Sequence, residues 1–468
     1  MENSSFHSRR DFLKFSASAS LGFAGLFSCV RDIDTVVPTP IPTRPVGYGP
    51  LLPDPAGLLN LPKGFSYQII SRQGETMSDG LLVPGLPDGM GTFRGGNGKT
   101  ILVRNHEMSP DPIWGSPYGL DGALASKIDR SLLYDAGSGG RPDLGGTTTL
   151  IYNPATGKVE TQFLSLAGTA RNCAGGPTPW NTWLTCEETT KRAGFDGSQK
   201  DHGFVFEVPA TDYVKLHAAV PIKAMGRMNH EAVAVDPRSG IVYLTEDVPD
   251  GLIYRYIPKV PGQLHKGGAL QALMIRDQSS ADTRNWPSLK TSAFPARQLF
   301  EVAWVDLEEV ESPDDNLRYQ GYDKGAARFA RAEGMWFGNN EVFFACTNGG
   351  KSQLGQVFRY IPSAQEGKPQ EKTSPGKLEL FIESNSIELL QNCDNLTVAP
   401  WGDVILCEDN DHPFLVGVTP KGELYRLAEN VAHKTELAGG VFSPTGETYF
   451  FNMQGAGLTI AITGPWHK

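Results

Sequence analysis

Glu231-Ala-Val-Ala-Val-Asp-Pro-Arg-Ser-Gly-Ile-Val-Tyr-Leu-Thr-Glu246 decides the fold. Two short runs rich in β-branched residues flank a Pro-Arg-Ser-Gly turn, which is the pattern of a β-hairpin. The unit recurs in Asp394-Asn-Leu-Thr-Val-Ala-Pro-Trp-Gly-Asp-Val-Ile-Leu-Cys-Glu408 and in Glu333-Gly-Met-Trp-Phe-Gly-Asn-Asn-Glu-Val-Phe-Phe-Ala-Cys-Thr347. Further copies begin near residues 88, 173 and 439. Six copies of one hairpin predict an all-β fold, a six-bladed β-propeller with irregular insertions, against which a β-sandwich is the competing arrangement. Leu252-Ile-Tyr-Arg-Tyr-Ile257, Gly355-Gln-Val-Phe-Arg-Tyr-Ile361 and Gly422-Glu-Leu-Tyr-Arg-Leu427 each read as a third strand. Helical periodicity is scarce and clearest over Gly325-Ala-Ala-Arg-Phe-Ala330.

The 468 residues include 53 Gly and 34 Pro, which suits many turns and few long helices. A net charge of -10 argues against nucleic acid as a specific partner and suits divalent cations or simple solubility. Residues 1–29 read as a signal peptide: Ser8-Arg9-Arg10-Asp11-Phe12-Leu13-Lys14 is a twin-arginine motif, followed by an apolar stretch too short to span a bilayer. Leu26-Phe27-Ser28-Cys29 resembles a lipoprotein processing site, so the expected location is periplasmic, either free or tethered by a lipid on Cys29. Residues 30–57 are rich in proline and read as a linker, leaving 58–468 as the propeller. Six cysteines, at 29, 173, 186, 346, 393 and 407, show no disulfide framework, and 186, 346 and 407 read as small buried residues.

In an antiparallel hairpin the residue that opens the first strand lies beside the one that closes the second. Glu231 is therefore expected near Glu246, Asp394 near Glu408, Cys173 near Glu187 and Glu333 near Thr347. If the first strands line a central channel, these groups gather at one mouth. Each carboxylate there raises its neighbours' pKa, and bound cations are the usual compensation. Oxygen ligands suit Ca²⁺ and Fe³⁺. Cys173 occupies the acidic slot and is either a buried thiol or a ligand. In Asn105-His106-Glu107 and Asn229-His230-Glu231, alternation puts Asn and Glu on one face and His on the other. Arg331 either pairs with a local carboxylate or binds phosphate through its guanidinium. Neither a phosphate-binding glycine loop nor a Gly-x-Ser-x-Gly elbow is present.

Taken in order, Asp88-Gly-Met90, Arg104-Asn-His-Glu107, Asn172-Cys-Ala-Gly-Gly176, Trp183-Leu-Thr-Cys-Glu-Glu188, His230-Glu-Ala232, Tyr243-Leu-Thr-Glu-Asp247, Arg331-Ala-Glu-Gly334, Asp394-Asn-Leu396 and Cys407-Glu-Asp409 resemble the PhoX-type alkaline phosphatases. The resemblance runs from about residue 58 to the C-terminus. It implies a phosphomonoesterase with Fe³⁺ and Ca²⁺ held by Glu107, Cys173, Glu231, Glu333 and Asp394; a monomer is the expected state. Glu408 and Asp409 match the family's late acidic motif and join that metal set. It implies further that Arg331 binds the substrate phosphate. The chain departs from the family pattern at Asn181, where Gly is typical, at Met228 and at Cys393, and it is shorter than better-known members. The residues also admit a Ca²⁺-dependent lactonase on the same fold, or a non-catalytic propeller braced by calcium.

Overall fold

The computed structural model describes residues 44–109 and 115–467, so the twin-arginine motif and Cys29 lie outside the described residues. Val46–Lys468 forms one unit. Residues 46–57 belong to it despite their prolines: Leu51–Leu52 pairs with Leu59–Pro62, and Tyr48 packs edge-on against Phe65 and Trp466.

The unit is all-β and propeller-like, with one α-helix among the described residues, Leu317–Asp323. The segment expected to be helical, 325–330, lies just beyond it and is not helical: a turn at Gly325 leads into isolated bridges at Arg328 and Phe329. Ala326, Ala327, Phe329 and Ala330 are fully buried there, and Phe329 bridges to Gly251. Backbone bridges to two separate segments, Arg328 to Asp282 and Phe329 to Gly251, override the local periodicity.

Six hairpin first strands, Pro87–Arg94, Asn172–Pro177, His230–Val235, Ala332–Gly338, Cys393–Val398 and Leu437–Phe442, pack side by side in a closed ring. Their outer strands form five sheets. Four correspond to single hairpins extended outward. The fifth has nine strands, because the outer strand Leu299–Asp306 of one hairpin pairs with Lys377–Glu383 of the next through Leu299–Glu301. Two exposed edges are thereby covered by each other, which removes an edge liability. Ser66–Arg72 adds to the C-terminal strand Leu458–Thr463 and so joins the two ends of the ring. Ile253–Pro258 and Gln356–Ile361 are third strands as expected. Leu424–Asn430 is instead the fourth of its sheet, outside Phe414–Val418, a strand too short and Gly-containing to stand out in sequence.

One local feature repeats in all six first strands. The pairing register slips by one residue across Asp88-Gly89, Cys173-Ala174, Glu231-Ala232, Glu333-Gly334, Asp394-Asn395 and Gly439-Gly440. Such bulges bend a strand and re-aim one side chain. The second residue is Gly or Ala in five of the six, since neighbouring inner strands nearly touch; Asn395 is the exception, and its Oδ1 accepts the Gly439 N–H at 2.7 Å. A Cβ on Gly334 would lie 2.6 Å from the Asn395 Cα.

Candidate metal centre

The bulges bring the leading residue of each hairpin together. Asp88, Glu107 and Cys173 present ligand atoms within 4.8 Å of one another, as do Cys173, Glu188 and Glu231, and again Glu231, Glu333 and Asp394. Cys173 and Glu231 are each shared, so the three groups form one chain of donors. The sixth bulge contributes no side chain. Gly439 has φ +65°, and a Cβ there would sit 2.2 Å from the Asp88 carbonyl oxygen.

Like charges this close are costly. Two carboxylates 4.8 Å apart repel by roughly 3–4 kcal/mol at an effective dielectric of about 20. Burial, then Glu107 and Asp394, pushes the Asp88 carboxyl well above its ordinary range. Burial, then Glu188 and Asp394, does the same to Glu231, and burial with Asp247 and Asp394 does so to Glu333. Asp394 is pushed up to about 8 by burial and by Asp409. The Cys173 thiol is raised by burial and by Asp88 and Glu231. Both Glu231 oxygens and Asp88 Oδ1 are buried and receive no N–H or O–H group of the described residues, the nearby Cys173 thiol alone favouring the Glu231 charge. Buried carboxylate oxygens normally have such a donor. A donor set of one sulfur and several oxygens left without one suits multivalent cations, with the thiolate favouring a transition metal and the carboxylates a hard ion.

Two arginines border the cluster. Arg331 donates from Nε and Nη2 to Asp247 at 3.0 and 2.7 Å and from Nη2 to Glu333 at 2.7 Å. Arg171 Nη2 lies 2.6 Å from both Glu107 and Glu188. Burial works against their charge, but Glu333 and Asp247 hold Arg331 above its ordinary pKa, and Glu107 and Glu188 do so for Arg171. Gln454 Nε2 donates to Asp88 at 2.7 Å and to Glu107 at 2.9 Å.

Of the residues expected at the mouth, Glu107, Cys173, Glu231, Glu333, Asp394 and Arg331 come together. Asp409 stands at the exposed rim and acts on Asp394 and Glu436 through its charge. Glu408 does not join them. Its carboxylate accepts the Gln391 and Phe414 backbone N–H groups at 2.7 and 2.9 Å. Glu187 likewise accepts from Ala170, Gly203 and Phe204 N–H and from the His202 ring, while Glu246 accepts from the Tyr254 hydroxyl. In these three hairpins the residue closing the second strand therefore pins a neighbouring loop, and the next residue faces the mouth, because successive side chains alternate. Glu188, Asp247 and Asp409 are those next residues. The histidines of both Asn-His-Glu triplets turn away: His106 meets Gly85 O and Thr148 Oγ1, and His230 meets Gly226 O.

Asp88, Glu188, Asp247, Glu436 and Arg171 were missed in the sequence. Aligning the hairpins on their bulge would have found Asp88, which opens the first copy in the register of Glu231. Glu436 has no repeat equivalent; burial, Asp394 and Asp88 raise its pKa. Asn181 has φ +61°, which accounts for glycine being typical there and for Asn replacing it.

The family model described as alkaline phosphatase PhoX matches residues 46–457. No curated protein matches the chain. Among solved structures, PhoX of Pseudomonas fluorescens in complex with vanadate, a transition-state analogue, aligns with TM-score 0.64 at 16% identity. That alignment covers 90% of this chain and 98% of the other. A gluconolactonase of Xanthomonas campestris aligns with TM-score 0.41 at 12% identity, covering 90% and 99% of the two chains.

Proposed function

Because the chain belongs to the alkaline phosphatase PhoX family, we propose that it hydrolyses phosphomonoesters at the acidic mouth of the ring, with Fe³⁺ and Ca²⁺ as its resident cations. The observation that carries this reading is Glu231: a carboxylate with both oxygens buried and receiving no N–H or O–H group of the described residues, shared between two groups of donors. Glu107, Cys173, Glu231, Glu333 and Asp394 hold the cations, joined by Asp88 and Glu188, with Asp409 adding charge at the rim. Cations bound there supply charge to neutralise phosphoryl oxygens and to acidify a water.

The protein's own part is positioning. Arg331 is held by Asp247 and Glu333 through Nε and Nη2, and Nη1 makes no hydrogen bond to the described residues. That free edge donates to a non-bridging phosphoryl oxygen and follows the charge that develops on it. Asp247 and Glu333 lock the guanidinium plane, so little side-chain freedom is lost on binding. No covalent protein nucleophile is assigned.

The fold reading that accompanies this is a six-bladed propeller, the nine-stranded sheet being two blades joined at their outer edges. Six bulged first strands around one ring support that count. Export by the twin-arginine route, as a periplasmic or Cys29-tethered monomer, completes the proposal. The test is hydrolysis of p-nitrophenyl phosphate by the purified protein, before and after chelation and after return of Ca²⁺ and iron. Activity lost on chelation and regained with the cations supports the reading, and no activity in any state overturns it.

A further inference from the structure

The repeat gives each residue of the mouth an address, and Arg171 shares the address of Arg331. Both stand two residues before a bulge-leading residue, Cys173 in one case and Glu333 in the other. Both have positive φ, +50° and +47°. The Arg331 backbone N–H donates to Val248 O at 3.1 Å and its carbonyl accepts from Thr347 N at 3.1 Å. The Arg171 N–H donates to Met108 O at 2.9 Å and its carbonyl accepts from Glu188 N at 2.9 Å.

The side chains correspond as well. Arg331 pairs with Asp247, the mouth-facing acid of the preceding hairpin, and Arg171 pairs with Glu107, which holds that position one hairpin before its own. Each Nη2 also takes a second carboxylate, Glu333 or Glu188. Arg171 spends Nε on the Glu188 carbonyl and Nη2 on carboxylates, and Nη1 donates to none of the described residues. The side chains are 44% and 37% exposed, so neither guanidinium is closed off from a ligand.

We propose that Arg171 is a second substrate-binding arginine, gripping the phosphoryl group together with Arg331 from a position two strands away round the ring of six; this rests on the phosphatase reading above. Arg171 enters beside the Cys173 strand and Arg331 beside the Glu333 strand, with Cys173 and Glu231 between them in ring order. A terminal phosphoryl group has three non-bridging oxygens, more than one guanidinium edge can cover. A phosphodiester has two and carries a single charge, so it leaves one arginine without an acceptor. The pair thus favours monoesters over diesters, since a diester offers the two guanidiniums fewer acceptors and less negative charge. A countercharge alone would not require the planar donor edge, because Lys serves that purpose.

The experiment uses cation-loaded wild type, Arg171→Lys and Arg171→Gln, with metal content and Tm measured on the same samples. The probes are inorganic phosphate as a competitive inhibitor, p-nitrophenyl phosphate and bis(p-nitrophenyl) phosphate. The Lys variant keeps the charge that Glu107 and Glu188 face, and it decides the matter if the Gln variant does not fold. The expected result is phosphate affinity at least about tenfold weaker at wild-type metal content, with a raised KM and a smaller preference for the monoester. Wild-type phosphate affinity in Arg171→Lys, or a loss that only tracks lost metal, overturns the inference. If wild type neither hydrolyses the monoester nor binds phosphate, the phosphatase reading itself fails and takes this one with it.

Discussion

Stripping the cations should make stability fall as pH rises. Asp394 has an ordinary pKa of 3.8, and burial with Asp409 moves it to about 8 in the folded chain without metal. Between those values the folded form keeps a proton that the unfolded form has released. Folded protein then binds more protons than unfolded, so stability falls as pH rises, by about 1.4 kcal/mol per pH unit for one such group. From pH 5 to pH 8 the loss is roughly 4 kcal/mol from Asp394 alone, a large part of a typical 5–15 kcal/mol. Asp88, Glu231 and Glu333 shift in the same direction and add to it. With an unfolding entropy of about 0.9 kcal/mol/K for a unit of this length, Asp394 by itself lowers Tm by about 4–5 °C over that range. Bound cations hold the carboxylates deprotonated in the folded state and abolish the slope. Thermal unfolding of chelated and reloaded protein at pH 5 and pH 8 measures the difference. A chelated protein whose Tm stands as high at pH 8 as at pH 5, relative to the loaded form, refutes the reasoning.

Other residues give sharper local tests. Cys173→Ser should cut bound iron to less than half of the wild-type content while calcium is retained, and iron unchanged by elemental analysis removes the thiolate from the metal set. Arg331→Ala should lower kcat/KM for a phosphomonoester by about 10²–10³-fold, the cost of losing one oxyanion donor, and unchanged kinetics rule out its contact with phosphate. Glu408→Ala strands two backbone N–H groups and should cost about 2–3 kcal/mol in denaturant unfolding with metal content per folded molecule intact. Metal loss at unchanged stability would instead make Glu408 a ligand.

Much of this arrangement is legible in the sequence because the hairpin repeats. The turn in Asp236-Pro-Arg-Ser-Gly240 and the strand-closing Glu246 mark one copy, and the register of that copy points to Glu231, Glu333, Asp394 and Cys173. What escapes is set by events outside any one hairpin. The side chains of Glu408 and Glu246 turn to neighbouring loops and Asp247 faces in, so the rule that pairs the opening and closing residues of a hairpin finds the opening residue but names the wrong closing one. The edge pairing of Leu299–Glu301 with Lys377–Glu379 joins strands about eighty residues apart and leaves no local mark. Arg171 has no carboxylate beside it in sequence on its N-terminal side, and only the fold brings Glu107 to it.

Elemental analysis of the purified mature protein, paired with a phosphomonoesterase assay with and without added Ca²⁺, tests the central claim most directly. The account predicts bound iron together with calcium-dependent hydrolysis. Calcium without iron and without hydrolysis would contradict it, and would leave the ring of bulged strands as a calcium-braced binding module.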